Sequence, residues 1–272
     1  MFAHEFVRNA YLAGTFVALA CGCAGWFVIL RGQLFAGDAL SHVAFVGAIA
    51  AGVLGLDDRI GLFALTLLVG AGMAMLGQRA QADDAAIGIV FAWILGIGLL
   101  MLTLLATSSS GGNGVTAVNT LFGSIFDLSA GSARLAAVIA ALVVLGIAGA
   151  FRPLLLSTLD PELATIRGLP VRALGVAFLV ILAVVSAEST QAVGALLLLG
   201  LLAAPAGAAH RLTTDPRRGI ALAGALAVLA TWGGLAISYS VSSMPPSSAI
   251  IGLATLEYAA ATLLSRAAPR GA

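Results

Sequence analysis

Long apolar runs separated by short polar clusters divide the chain into nine segments, at approximately 10–30, 35–56, 60–77, 85–106, 132–151, 171–187, 192–209, 219–239 and 248–264. Crossing a hydrocarbon core about 30 Å thick takes about 20 residues of helix, and a helix satisfies its backbone hydrogen bonds internally where lipid offers no partner. The pattern predicts an all-α polytopic membrane protein of about nine transmembrane helices. The pair at 171–187 and 192–209 is short and is split by Glu188, Ser189, Thr190 and Gln191. One of the two suits a partial or re-entrant helix, and eight complete spans are the alternative count.

Composition agrees with this reading. Of 272 residues, 61% are hydrophobic and 9% charged, against roughly 25% charged in a soluble domain. The net charge of +1 implies no nucleic acid or other polyanion as partner. All 13 basic side chains are arginines, so their placement carries the orientation. With the N-terminus outside, Arg31, Arg79, Arg152, Arg167, Arg172, Arg211, Arg217, Arg218, Arg266 and Arg270 fall inside, and Arg8, Arg59 and Arg134 outside. That split favours an odd number of spans and an internal C-terminus. The charged start MFAHEFVRNA suits a retained first span better than a cleaved signal. Cys21 and Cys23 point to different faces of one helix and read as small packing residues. The 33 glycines read mainly as close-packing positions between helices.

Two connections stand out. Residues 107–131 form a long Gly/Ser/Asn-rich external loop with an apolar insert at Leu121, Phe122, Ile125 and Phe126. Residues 152–172 form a cytoplasmic loop holding a short helix: Asp160 as N-cap, Pro161 at the first position, Glu162 in the first turn and Gly168 as terminator. Such a helix suits contact with a soluble partner, although loop packing alone predicts a similar pattern.

The segment GDALSH places Asp38, Ser41 and His42 at the start of the second span. On a helix Asp38 and His42 share a face, and a carboxylate oxygen with an imidazole nitrogen suits Zn²⁺ or Mn²⁺. Two ligands are not a complete site, and a capping Asp38 with a hydrogen-bonding His42 is the bland alternative. Glu188 with Gln191, Asp83 with Asp84, and Glu257 are weaker candidates for a polar path; His210 and His4 read as helix-end residues. The chain has no phosphate-binding G-x-x-x-x-G-K-[ST] loop, no nucleophile elbow, no H-E-x-x-H and no C-x-x-C-H, so nothing supports an enzyme. From these residues alone, an ATP-independent carrier or channel and a membrane scaffold also stay open.

Six stretches in order, RGQLFAGDALSHVAFVGAIAAG, ADDAAIGIVFAWILGIGLL, NTLFGSI, DPELATIRGLPVR, VGALLLLGLLAAPAGAA and SYSVSSMPPSSAI, resemble the membrane permease subunit of the bacterial zinc/manganese (divalent metal) ABC importer family. The resemblance spans nearly the whole chain. It implies a single permease domain over 1–272 in the bacterial cytoplasmic membrane, with an architecture like a reduced vitamin B12 or siderophore importer. It further implies a homodimer, separate P-loop ATPase subunits and an extracytoplasmic metal-binding protein. On this resemblance Asp38 and His42 line the metal pathway, with Ser41 beside them and Glu188 as a weaker member. Asp160, Pro161, Glu162 and Gly168 belong to the coupling helix. No cofactor is stably bound: a divalent ion (Zn²⁺ or Mn²⁺, or Fe²⁺) passes through, and ATP stays on the partner subunit. Glu188 departs from the family pattern, which places an apolar residue there.

Overall fold

Every apolar run becomes helix, because within lipid the backbone has no other source of hydrogen bonds. The computed structural model describes residues 4–76, 84–108, 123, 125–195, 198–241 and 243–267. In chain order the helices are α1 (Glu5–Leu30), α2 (Leu34–Val53), α3 (Asp58–Leu76), α4 (Asp84–Ser108), α5 (Ala130–Gly149), α6 (Phe151–Leu159), α7 (Pro161–Ile166), α8 (Val171–Ala192), α9 (Leu198–Leu212), α10 (Pro216–Ser240) and α11 (Pro246–Ala267), with a 3-10 turn at Ile125–Asp127 before α5. Among the described residues, eight helices are long and apolar enough to cross a membrane. The ninth segment folds as α9, whose 15 residues span about 22 Å.

The apolar insert expected in the 107–131 connection is partly seen: Ile125 is buried in the 3-10 turn and Phe126 packs edge-on against Phe6. Leu121 and Phe122 lie outside the described residues, as do Asp83, Arg79 and Arg270. The 152–172 connection differs from expectation by being helical almost throughout. Pro153 reads as a loop residue, but it stands in the first turn of α6, where a missing N–H costs no hydrogen bond.

Helices α1 and α2 are the most enclosed, α1 being packed by α5, α8, α9 and α10. Close approach depends on residues without side-chain bulk. A Cβ on Gly25 would strike the Leu202 carbonyl of α9, and one on Gly47 of α2 would strike the Gly61 carbonyl of α3. Cys21 and Cys23 are buried and unpaired with each other, and Cys21 Sγ lies 2.9 Å from Ser189 Oγ.

The two ends of the bundle are distinct. At one end Asn9 Nδ2 donates to Leu128 O (3.3 Å), and Arg59 Nε donates to Gln191 Oε1 (2.9 Å). At the other, Trp26 packs against Phe151 and stacks on His210, whose Nε2 lies 3.1 Å from the Trp26 carbonyl. Helix α8 runs from the second end to the first. The chain then turns back through Val193, Gly194 and Ala195, all buried, so α9 starts inside the bundle rather than at its rim.

Candidate metal pathway

Helix α2 begins at Leu34, so Asp38 and His42 are one helical turn apart and face the same way. Oδ1 of Asp38 and Nε2 of His42 are 4.0 Å apart, and the two side chains keep 29% and 19% of their surface exposed. That distance is too long for a hydrogen bond, so the Asp38 oxygen and, in the tautomer with its proton on Nδ1, His42 Nε2 can each face a cation. The imidazole rests against Phe91 of α4, with ring centroids 5.4 Å apart, and Phe91 in turn meets Phe35 edge-on. The result is a polar pair on an open face with an aromatic wall on one side.

Ser41 turns the other way. It is fully buried, with Oγ 2.6 Å from its own-helix Asp38 carbonyl and 3.0 Å from the Ala195 carbonyl. Irregular backbone is tolerated at membrane depth only where protein satisfies it, and the Ser41 hydroxyl does so for the break between α8 and α9. The structure therefore brings Asp38 and His42 together and gives their neighbour a different task.

Glu188 is also separate from the pair. It is 3% exposed, and it borders a cavity of about 10 Å³ with Val17 and Ala20 of α1, Ala140 and Val143 of α5, and Ser189. Among the described residues neither carboxyl oxygen has a hydrogen-bond partner, and no α2 residue lines that cavity. Among the described residues no three His, Cys, Asp or Glu side chains converge on one point. One chain thus presents two donors, whereas Zn²⁺ takes about four ligands and harder divalent ions about six.

The α6–α7 segment is the second candidate surface. Asp160 accepts a hydrogen bond from Leu163 N at 2.9 Å, Pro161 opens α7, and Glu162 stands in its first turn. Gly168 closes it at φ +74°: its N–H bonds Thr165 O (2.9 Å) and that of Leu169 bonds Ala164 O (3.0 Å), pairing two end carbonyls. Ile166 remains 81% exposed, and it borders a groove of about 430 Å³ with Pro161, Glu162, Thr165, Val171 and Arg172. An exposed apolar tip on a well-capped short helix has the form of a docking element.

Sequence reasoning named the residues of both candidate surfaces but missed what holds them. The Phe91 wall of His42 and the Ala195 partner of Ser41 come from segments 49 and 154 positions away in numbering, and no local pattern signals either. Arg31 and Arg59 were legible only as orientation charges, yet both are partly buried and hydrogen-bonded between helices.

Comparison with known proteins bears on the same stretches. A manganese transport system membrane protein, MntC of Halalkalibacterium halodurans, is 30% identical over 246 residues, covering 89% of this chain and 82% of that one. The solved structure of PsaBC from Streptococcus pneumoniae in complex with Fab superposes with a TM-score of 0.81 at 28% identity, over 98% of this chain and 93% of that one. An inward-facing ABC transporter of metal-chelate type shares the fold alone, with a TM-score of 0.63 at 16% identity over 95% of this chain and 86% of that one. The family model described as the ABC 3 transport family matches residues 3–265, and the chain belongs to that family: it is a multi-pass, non-catalytic transport subunit.

Proposed function

We propose that this chain moves a divalent transition metal ion across the bacterial cytoplasmic membrane by alternating access, driven by separate P-loop ATPase subunits docked at α7. The observation that carries this reading is the Asp38–His42 pair, a carboxylate and an imidazole 4.0 Å apart and partly exposed on one face of α2. Two copies of the chain related by an axis beside that face supply four donors, enough to replace part of a hydration shell without trapping the ion. A metal-loaded binding protein delivers the ion at the Arg59 end, which places Arg31 and α7 on the cytoplasmic side. The helical arrangement then belongs with the larger vitamin B12 and siderophore importers, as the metal-chelate likeness supports.

Manganese is favoured over zinc. Carboxylate oxygen suits Mn²⁺, thiolate would favour Zn²⁺, and both cysteines are buried in α1. The manganese name of the Halalkalibacterium relative points the same way. Asp38→Asn keeps size and removes the charge that offsets the ion; His42→Ala removes the nitrogen ligand. In proteoliposomes holding the whole transporter, each is expected to lower initial uptake of radioactive manganese at least about tenfold, with assembly retained. Asp38 is the fifth residue of α2, whose cap is Gln33, so its charge is not needed to start the helix. Near-normal uptake by Asp38→Asn therefore rejects the charged station.

A further inference from the structure

We propose that Arg31 is a positioning residue through which displacement of the α6–α7 segment reaches the metal-binding helix α2. The proposal rests on the reading of α7 as the ATPase-docking element. Arg31 lies just past the end of α1, and its guanidinium joins three elements. Nε donates to Thr158 Oγ1 at 3.0 Å and Nη2 to Ser157 Oγ at 3.5 Å, both on α6; Cζ sits 4.5 Å from the centre of the Phe178 ring of α8.

The hydrogen-bond directions fit a designed seat. Thr158 and Ser157 give their own protons to the Leu154 carbonyl, at 2.6 and 3.0 Å, which leaves oxygen lone pairs facing the arginine. Burial pushes the guanidinium down to about 10, so it stays charged at neutral pH. Among the described residues no carboxylate lies within 4 Å of it, the ion pairs being Asp38–His42 and Asp215–Arg218. The seat holds the cation without an opposite charge that would fix it.

Connections on either side are stiff. Thr158 precedes the shared cap Asp160 by two residues, so α6 and α7 move together. On the other side, Gly32 at φ +67° lets its own N–H bond Ile29 O (3.1 Å) and that of Gln33 bond Val28 O (2.9 Å), locking the turn into α2. Asp38 follows one turn into α2. Among the described residues, the two Arg31 bonds are the only side-chain hydrogen bonds that leave the α6–α7 segment. The packing of Phe151 on Trp26 and Phe27 is apolar and can slide; the Arg31 contacts are directional.

The test uses the complete transporter in proteoliposomes, with ATP hydrolysis and manganese uptake measured on the same preparation. Arg31→Gln should assemble and hydrolyse ATP at near wild-type rates while the ions moved per ATP fall at least about tenfold, within the usual range of coupling between sites. Thr158→Val, which removes only the acceptor, should give the same split, and the double variant should be no worse than Arg31→Gln alone. Normal ions per ATP in Arg31→Gln, a multiplied loss in the double variant, or parallel loss of assembly in both single variants would each overturn the proposal. Ile166→Asp, at the exposed tip of α7, separates the two readings. If it leaves assembly and uptake intact, the docking reading fails whatever Arg31 does. If it blocks assembly while Arg31→Gln transports normally, the relay alone fails.

Discussion

Ser41 shows how one hydroxyl changes role once its distant partner is known. From sequence it stands beside Asp38 and His42 and shares their chemistry. In the fold it faces the Ala195 carbonyl at 3.0 Å, in the buried break between α8 and α9. Ser41→Ala leaves that carbonyl unpaired away from water, a cost of about 1–3 kcal/mol. The solubilised protein is expected to unfold several degrees lower, at about 2–4 °C per kcal/mol for a chain of comparable size. Manganese uptake per assembled transporter should stay well above that of Asp38→Asn. A raised KM for the ion with unchanged thermal stability would instead return Ser41 to the metal path. The i,i+4 pair Asp38 and His42 was legible because helical spacing alone puts both on one face. The Ser41 contact was not, since it depends on where a segment 154 positions later turns back.

At the scale of elements, capping chemistry was the most readable signal. Asp160, Pro161 and Gly168 marked both ends of α7, and the structure places each in that role. Bulk is not what Gly168 avoids, because a Cβ there would meet nothing within 4 Å. Its requirement is the left-handed backbone at φ +74°, which costs an ordinary L-residue roughly 1–2 kcal/mol and a β-branched one more. Asparagine tolerates that region. Gly168→Asn should therefore keep manganese uptake coupled to ATP hydrolysis, whereas Gly168→Val should shift the end of α7 and lower the ions moved per ATP. Equal behaviour of the two variants would show that the terminator geometry is irrelevant to coupling. Helix α6 was not distinguished within the 152–172 connection, although Pro153 falls in its first turn, where a proline interrupts no hydrogen bond.

For the whole molecule, the open question from the sequence was eight or nine passes, and it turns on α9. Its 15 residues are short for a hydrocarbon core of about 30 Å. Yet the buried break just before it meets Ser41 at Ala195, and its last turn stacks His210 on Trp26 at the same end of the bundle as Arg31. Helix α8 begins at that end and reaches Gln191 beside Arg59 at the other. Together α8 and α9 go out and return, the missing length being supplied by the buried break at Val193–Ala195, which protein rather than lipid surrounds. On this count we propose that the chain passes nine times, with Glu5 and Arg266 at opposite ends of the bundle. The arginine distribution then puts the α7 end inside. Single cysteines at Glu5 and Arg266, both exposed, test this in right-side-out vesicles, where the native Cys21 and Cys23 are shielded by burial. A membrane-impermeant thiol reagent should label the cysteine at position 5 in intact vesicles, and the one at position 266 only after permeabilisation. Labelling of both from one side would mean that only one of α8 and α9 crosses the membrane and that eight spans is the correct count.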